Sequence, residues 1–350
     1  MNPAPIRINP TFSPRIWGAK SLAPLYPEKT DLSEPIGEAW LTDVSCRIAT
    51  GPFAGKTLAE AWREMPAEWR GTNFAEPSDF PLLLKFIFPT DKLSIQVHPN
   101  DAYASIHEKS AGGRGKTEMW HVVSAQKSAS LLAGLKPGVT KEQFRQAIDA
   151  HQNLEGFFES YEAREGDTFF ISAGTPHTIG PNMIICEVQE YSDLTYRIYD
   201  YGRVDAHGKP RELHIEKALE VINFSGARTQ KVRSLPFASS AGSNSLLAAC
   251  RYFATERWSF ESAFTSPSHY TRFDLLTILS GHGSLHWGDC VSDYMPGECW
   301  LIPAILGMYE FRPAERTTLV HAYVPNLPRL SQQLYHAGFN EDQLAGVLFK

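Results

Sequence analysis

The chain has 350 residues, 43% apolar and 21% charged, with 33 Lys and Arg against 39 Asp and Glu for a net charge of −6. Such a composition buries a sizeable core, and at roughly 150 residues per domain it predicts two domains. It excludes a disordered tail, a collagen-like fibre and a disulfide-stapled mini-protein, and a weakly acidic chain without a basic block is a poor binder of nucleic acid or anionic membrane.

The opening MNPAPIRINP carries no apolar run of the signal-peptide kind, and the most apolar stretch, 82–88, is broken by Lys85 and too short to span a bilayer. Five scattered cysteines without a C-x-x-C pair read as reduced packing residues. A soluble cytoplasmic protein is therefore expected. Thr57-x-x-Glu60 is a capping box and predicts a helix over 57–70. Segment 92–98 alternates, with Leu93, Ile95 and Val97 on one face and Ser94, Gln96 and His98 on the other. Asn100 or Asp101 caps a short helix to Glu108, and a strand over 116–123 puts Lys116 and Glu118 on one face. Thr140-x-x-Gln143 opens a helix with Phe144, Ala147 and Ile148 on one side. Strands are expected at 167–171, 183–188 and 195–199, and a helix after Pro210. The Ser-, Ala- and Gly-rich stretch 225–245 reads as a linker, followed by strands at 275–279, 299–302 and 318–323 and a helical tail over 331–348. Short strands with turns at each end predict barrels or sandwiches, mainly β, with helical insertions in the N-terminal part. The division falls into 1–228 and 229–350.

An internal repeat supports two related β units. Residues 166–177, GDTFFISAGTPH, align with 297–308, GECWLIPAILGM: each has a Gly-acidic turn, then an aromatic-containing strand ending in Ile. His177 ends the first copy and Met308 the second, so the later unit keeps the shape and loses the chemistry.

Gln96, His98, Glu118 and His177 supply amide oxygen, imidazole and carboxylate donors, which suit Zn²⁺ at ~2.0–2.2 Å. Fe²⁺ and Mn²⁺ accept the same donors. The ordinary reading also holds for each residue taken alone: a hydrogen-bonded histidine at a strand end, a glutamine on backbone, a solvated Lys116–Glu118 pair. Two Gly-Lys-Thr tripeptides are not phosphate loops, because Thr50 and Ser110 stand where the earlier glycine is required. His282 and His286, four apart in a Gly-rich turn, form no ligand pattern.

The blocks RIWG (15–18), PIGEAW (35–40), SIQVHPND, GRGKTEMW, ISAGTPHTIG and QEYSDLTYRIYDYGR resemble the signature blocks of type I mannose-6-phosphate isomerases, in particular the short bacterial form. The resemblance runs in order from about residue 10 to 220. More widely the chain resembles the cupins: Gly166, Gly174 and His177 keep the spacing of their second motif, Ser172 replaces its proline, and Gln96-x-His98 stands where H-x-H is usual. The resemblance implies two cupin-like jelly-roll barrels, the N-terminal one carrying the helices. It implies one Zn²⁺ per chain on Gln96, His98, Glu118 and His177, and reversible conversion of mannose 6-phosphate to fructose 6-phosphate through a cis-enediol. Arg197 and Lys116 are the implied catalytic groups, Lys116, Arg197 and Ser94 the implied substrate contacts, and Lys92 and Arg114 are further candidates for phosphate. The alternatives are an Fe²⁺-dependent cupin oxygenase and a sugar-phosphate-binding cupin without turnover.

Overall fold

Alternating strands become two pairs of stacked antiparallel sheets in the computed structural model, which describes residues 2–74, 79–204, 208–225, 230–239 and 242–349. In the first pair, a six-stranded sheet runs Thr11–Ala19, Ile36–Trp40, Leu82–Ile87, Met183–Glu190, Glu118–Ala125, Thr168–Ile171. Its five-stranded companion runs Tyr196–Tyr199, Ile95–Val97, His177–Ile179, Ser130–Leu135, Phe158–Glu162. Period two sends Trp120, Val122, Phe169 and Ile171 inward onto Leu131, Ala133 and Ile179 of the smaller sheet. Ile95 and Val97 point outward, onto Phe144 of the helix Lys141–Asp149 and Leu219 of the helix Ile215–Val221. Leu93 was expected beside them but packs in the inner core, because the regular ladder begins only at Ile95.

The second pair repeats the strand order of the first, with one strand added and one missing among the described residues. Its larger sheet runs Cys299–Ile302, Asp274–Ser280, Thr317–Tyr323, Ala254–Phe260, Gly242–Ala249, Leu235–Ser239, the same order read backwards, with Ile6–Ile8 from the chain start added beside Cys299–Ile302. The smaller runs Phe264–Pro267, Met308–Pro313, Gly283–Trp287, Cys290–Tyr294. Gly166 and Gly297, the first residues of the sequence repeat, both turn at positive φ, 83° and 82°, a conformation that favours glycine. Among the described residues, Tyr196–Tyr199, which carries Arg197, has no counterpart in the second pair.

The outer faces of the two large sheets share one core. Leu84, Phe86 and Val188 from the first meet Leu275, Leu301 and Val320 from the second, and Phe273 packs its ring against Trp62 and Phe80. Every sheet ends on two edge strands among the described residues, so the expected barrels are open stacked sheets. No helix among those residues is long and apolar enough to cross a membrane.

Other expectations shift locally. The helix expected over 57–70 divides into Leu58–Glu64 and Ala67–Arg70, because Pro66 has no N–H to continue the first. The tail is two helices, Leu327–His336 and Glu341–Ala345, parted where Gly338 takes a φ of 94°. The linker reading of 225–245 fails over Leu235–Ser239 and the start of Gly242–Ala249, which pair as a hairpin. Small residues there fit the pleat as well as they fit a loop. Residues 226–229 and 240–241 of that stretch, and with them the 228/229 division, lie outside the described residues. All five cysteines are free, as expected.

Candidate active site

His177 opens its strand directly opposite Gln96, and His98 follows Gln96 two residues on, so the three side chains share the inner face of the smaller sheet. Glu118 reaches them from the larger sheet, where it pairs with Ile171 on one side and Gln189 on the other. One ligand atom from each of His98, Glu118 and His177 lies within 4.8 Å of the other two, and all three residues are buried. Glu118 Oε1 is 3.6 Å from His98 Nε2 and 3.3 Å from His177 Nε2.

The imidazoles are prepared for this. Each Nδ1 lies 2.8 Å from a main-chain carbonyl, that of Leu194 for His98 and that of Thr175 for His177. Donation of Nδ1–H to those carbonyls leaves Nε2 as a bare lone pair, the arrangement found behind metal-ligating histidines. Burial drives the His177 pKa down to about 3, and burial with Lys116 lowers that of His98, so both rings are neutral at pH 7. The Gln96 amide is 3.2 Å from His177 Nε2, and a half-turn about its last bond presents Oε1 in place of Nε2.

Three buried atoms here make no hydrogen bond, His98 Nε2 and both carboxylate oxygens of Glu118, and of these Oε2 has an ion-pair partner in Lys116. Orphaned polar atoms at such depth are costly. A divalent cation satisfies all three, and the donor set of two imidazoles, a carboxylate and an amide fits it.

Lys116 stands beside this group, its Nζ 2.8 Å from Glu118 Oε2 and 3.7 Å from Glu187. Burial pulls its pKa down, but Glu118 and Glu187 outweigh burial and raise it. Burial opposes ionisation of Glu118, yet the Lys116 ammonium holds its carboxyl well below the usual range. Glu187 goes the other way, pushed up to about 7 by burial and by Glu118. It accepts a hydrogen bond from the Trp120 indole at 3.0 Å.

Next to these groups is a cavity of about 280 Å³, lined by Ser94, Gln96, Lys116 and Arg197 of the expected residues and by Arg15, Lys85, Glu187 and Arg211 among others. Arg197 donates from Nη1 to the Glu212 carbonyl at 2.9 Å and has no carboxylate partner among the described residues. The nearby Asp193 pairs with Lys85, and Asp200 with Arg203 and Arg211. Lys92 and Arg114 lie away from the cavity: Lys92 pairs with Glu155 at 2.6 Å and Arg114 with Asp79 at 3.1 Å. Sequence reasoning passed over Lys85, reading it as a break in an apolar run. Its position on the inner face, two residues before Ile87, was the available signal. Arg15 stood in the quoted RIWG block without a role.

The sequence model described as phosphomannose isomerase type I, catalytic domain, matches residues 6–126. The chain is 33% identical over 324 residues to the mannose-6-phosphate isomerase ManA of Bacillus subtilis, covering 89% of this chain and 96% of the relative. This chain belongs to the type I mannose-6-phosphate isomerases. These enzymes interconvert mannose 6-phosphate and fructose 6-phosphate. The probable mannose-6-phosphate isomerase GmuF of the same organism is 32% identical, covering 87% of this chain and 95% of its own. Among solved structures, the mannose 6-phosphate isomerase of Bacillus subtilis superposes with a TM-score of 0.82 at 27% identity, over 91% of this chain and 99% of that one.

Proposed function

We propose that the chain holds one Zn²⁺ on Gln96, His98, Glu118 and His177 and interconverts mannose 6-phosphate and fructose 6-phosphate through a cis-enediol. The observation that carries this reading is the convergence of two unprotonated Nε2 atoms on the buried Glu118 carboxylate, beside a cavity that also holds Arg197. When bound, the cation acts as a Lewis acid on the oxygen that gains charge as the C–H bond beside the carbonyl gives up its proton. Fe²⁺ and Mn²⁺ fit the same donors.

The chain's own residues bind the sugar and stabilise the developing charge. Arg197 presents a guanidinium with no carboxylate to neutralise it among the described residues, so its charge is available to the enediolate oxygen. A guanidinium does not serve as a base, and its part is electrostatic. Lys116, kept protonated by Glu118 and Glu187, donates to a substrate hydroxyl and orients the sugar. Ser94 supplies a second polar contact from the same strand face as Gln96. Arg15 and Arg211, which line the cavity as Lys92 and Arg114 do not, are the cations placed to receive the phosphate, though each also pairs with a carboxylate, Glu38 and Asp200 respectively.

The two stacked-sheet pairs correspond in this reading to two cupin-like jelly-roll units, 1–228 and 229–350, with the chemistry in the first, and the enzyme works in the cytoplasm. Metal analysis of the purified protein, with a coupled assay for fructose 6-phosphate before and after chelation, tests the assignment. Loss of turnover on chelation and recovery on adding Zn²⁺ is the expected result, under nitrogen as well as in air. Undiminished turnover in fully metal-free protein overturns it.

A further inference from the structure

The first cavity has a counterpart. Because residues 166–177 align with 297–308, the ladders fix which residues correspond across the two units. Glu118 pairs with Ile171 and Asp274 with Ile302, so Asp274 stands in the place of Glu118. Two residues earlier, Arg272 stands in the place of Lys116, and it holds Asp274 at 3.0 Å as Lys116 holds Glu118 at 2.8 Å. Gln96 pairs with His177 and Pro267 with Met308, which puts His269 in the place of His98. On the next strands, Glu256 opposite His321 replaces Lys85 opposite Glu187.

Half of the ligand positions are lost, to Pro267 and Met308, and no strand corresponds to the one carrying Arg197 among the described residues. The described residues hold no second group of converging metal ligands. A cavity nevertheless opens at two of the corresponding positions, Glu256 for Lys85 and Arg272 for Lys116, and at about 460 Å³ it is larger than the first and within the range of small-molecule sites. His269, Arg272 and Glu256 line it, with Asn73 and with Arg329 and Gln333 from the closing helix Leu327–His336.

Its charge selects its ligand. Glu256 is already satisfied, accepting from Trp258 at 2.8 Å and Tyr323 at 3.0 Å with His321 beside it. Arg272 lies 3.5 Å over the Tyr323 ring and uses only Nε on Asp274, so its terminal amino groups have no protein partner among the described residues. The side chain of Arg329, exposed at the rim, has none either among those residues. Two available guanidiniums in one cavity favour a phosphate, which takes paired N–H donors. The amides of Asn73 and Gln333 add donors and acceptors suited to hydroxyl groups.

We propose that this cavity is a second, non-catalytic binding site for a small phosphate monoester such as a sugar phosphate. The proposal goes beyond the isomerase reading, and only the control at Arg197 depends on that reading. The test is calorimetric titration of the metal-loaded protein with glucitol 6-phosphate, which lacks a carbonyl and is not isomerised. Two equivalents are expected in the wild type. Arg329→Glu weakens one of them at least tenfold while turnover of mannose 6-phosphate at low substrate stays unchanged, and Gln333→Ala weakens the same one. Arg197→Ala weakens the other. Displacement of the second equivalent by inorganic phosphate supports the site with free phosphate as its ligand, and resistance to inorganic phosphate supports the ester. A single equivalent that Arg197→Ala abolishes overturns the second site and leaves the first reading intact. Two equivalents indifferent to Arg329→Glu, or displacement by unphosphorylated glucitol, also overturn it.

Discussion

The rings of His98 and His177 sit 4.9 Å apart, and each has given its Nδ1 to a main-chain carbonyl, so two bare Nε2 atoms face the same carboxylate, that of Glu118. This geometry requires both histidines at once. His98→Ala or His177→Ala is expected to lower metal affinity by more than the ~10–100-fold that loss of an outer partner costs, and to abolish turnover with it. Elemental analysis after gel filtration checks the metal, and circular dichroism checks that the sheets survive. A variant with full metal content removes that residue from the ligand set.

Arg197 separates electrostatics from metal binding. It lies in the cavity wall, where its guanidinium donates to the Glu212 carbonyl and its main-chain N–H to His214 Nδ1. Arg197→Ala is expected to retain the metal and the thermal transition while kcat falls by at least ~10²-fold, the scale of a lost transition-state donor. Arg197→Lys recovers only part of the loss, since an ammonium does not reproduce the planar fork. A kcat within a few-fold of wild type rejects the role.

The shared core between the two large sheets makes a prediction about the division at 228/229. Phe273 belongs to the second unit yet packs on Trp62 and Phe80 of the first, at ring separations of 5.1 and 5.5 Å. Phe273→Ala is expected to cost about 3–5 kcal/mol, read as a shift of the urea midpoint. Unfolding followed by near-UV and far-UV circular dichroism stays a single coincident transition, because neither half keeps its outer face covered alone. Two separated transitions contradict the coupling.

Much of this architecture was legible in the sequence for local reasons, and the remainder depends on partners far along the chain. Period two placed Gln96 with His98 and Lys116 with Glu118, and the repeat with Met308 at the place of His177 indicated the second unit. The capping boxes at Thr57 and Thr140 formed as read. Lys85 and Glu187 were not found, because what makes them part of the site is a pairing between strands 102 positions apart, visible only once Glu187 lies opposite Lys85. Lys92 and Arg114 show the converse: a cation near the motifs in sequence is claimed in space by a carboxylate of its own. The hairpin within 225–245 was missed because its small and polar residues carry a weak strand signal, and its pairing with Ala254–Phe260 supplies the stability instead.

The last prediction concerns His321, which is buried between two carboxylates, 2.9 Å from Asp274 and 3.3 Å from Glu256. Burial alone would lower its pKa, but Asp274 and Glu256 outweigh burial and raise it from 6.5 to about 9. A group whose folded pKa lies above its unfolded value stabilises the fold fully below the unfolded value, and that contribution disappears as pH rises through the folded value. Stability is therefore expected to decline between about pH 6.5 and 9, by an amount of order 3 kcal/mol at 1.36 kcal/mol per pKa unit. Urea midpoints measured at half-unit pH steps give the slope. His321→Gln lowers stability at pH 6 and flattens the profile across this window, because the proton that the folded state holds and the unfolded state releases is gone. A wild-type profile that is flat or rising from pH 6.5 to 9, or an unchanged slope in His321→Gln, means that His321 is not the charged member of this buried trio.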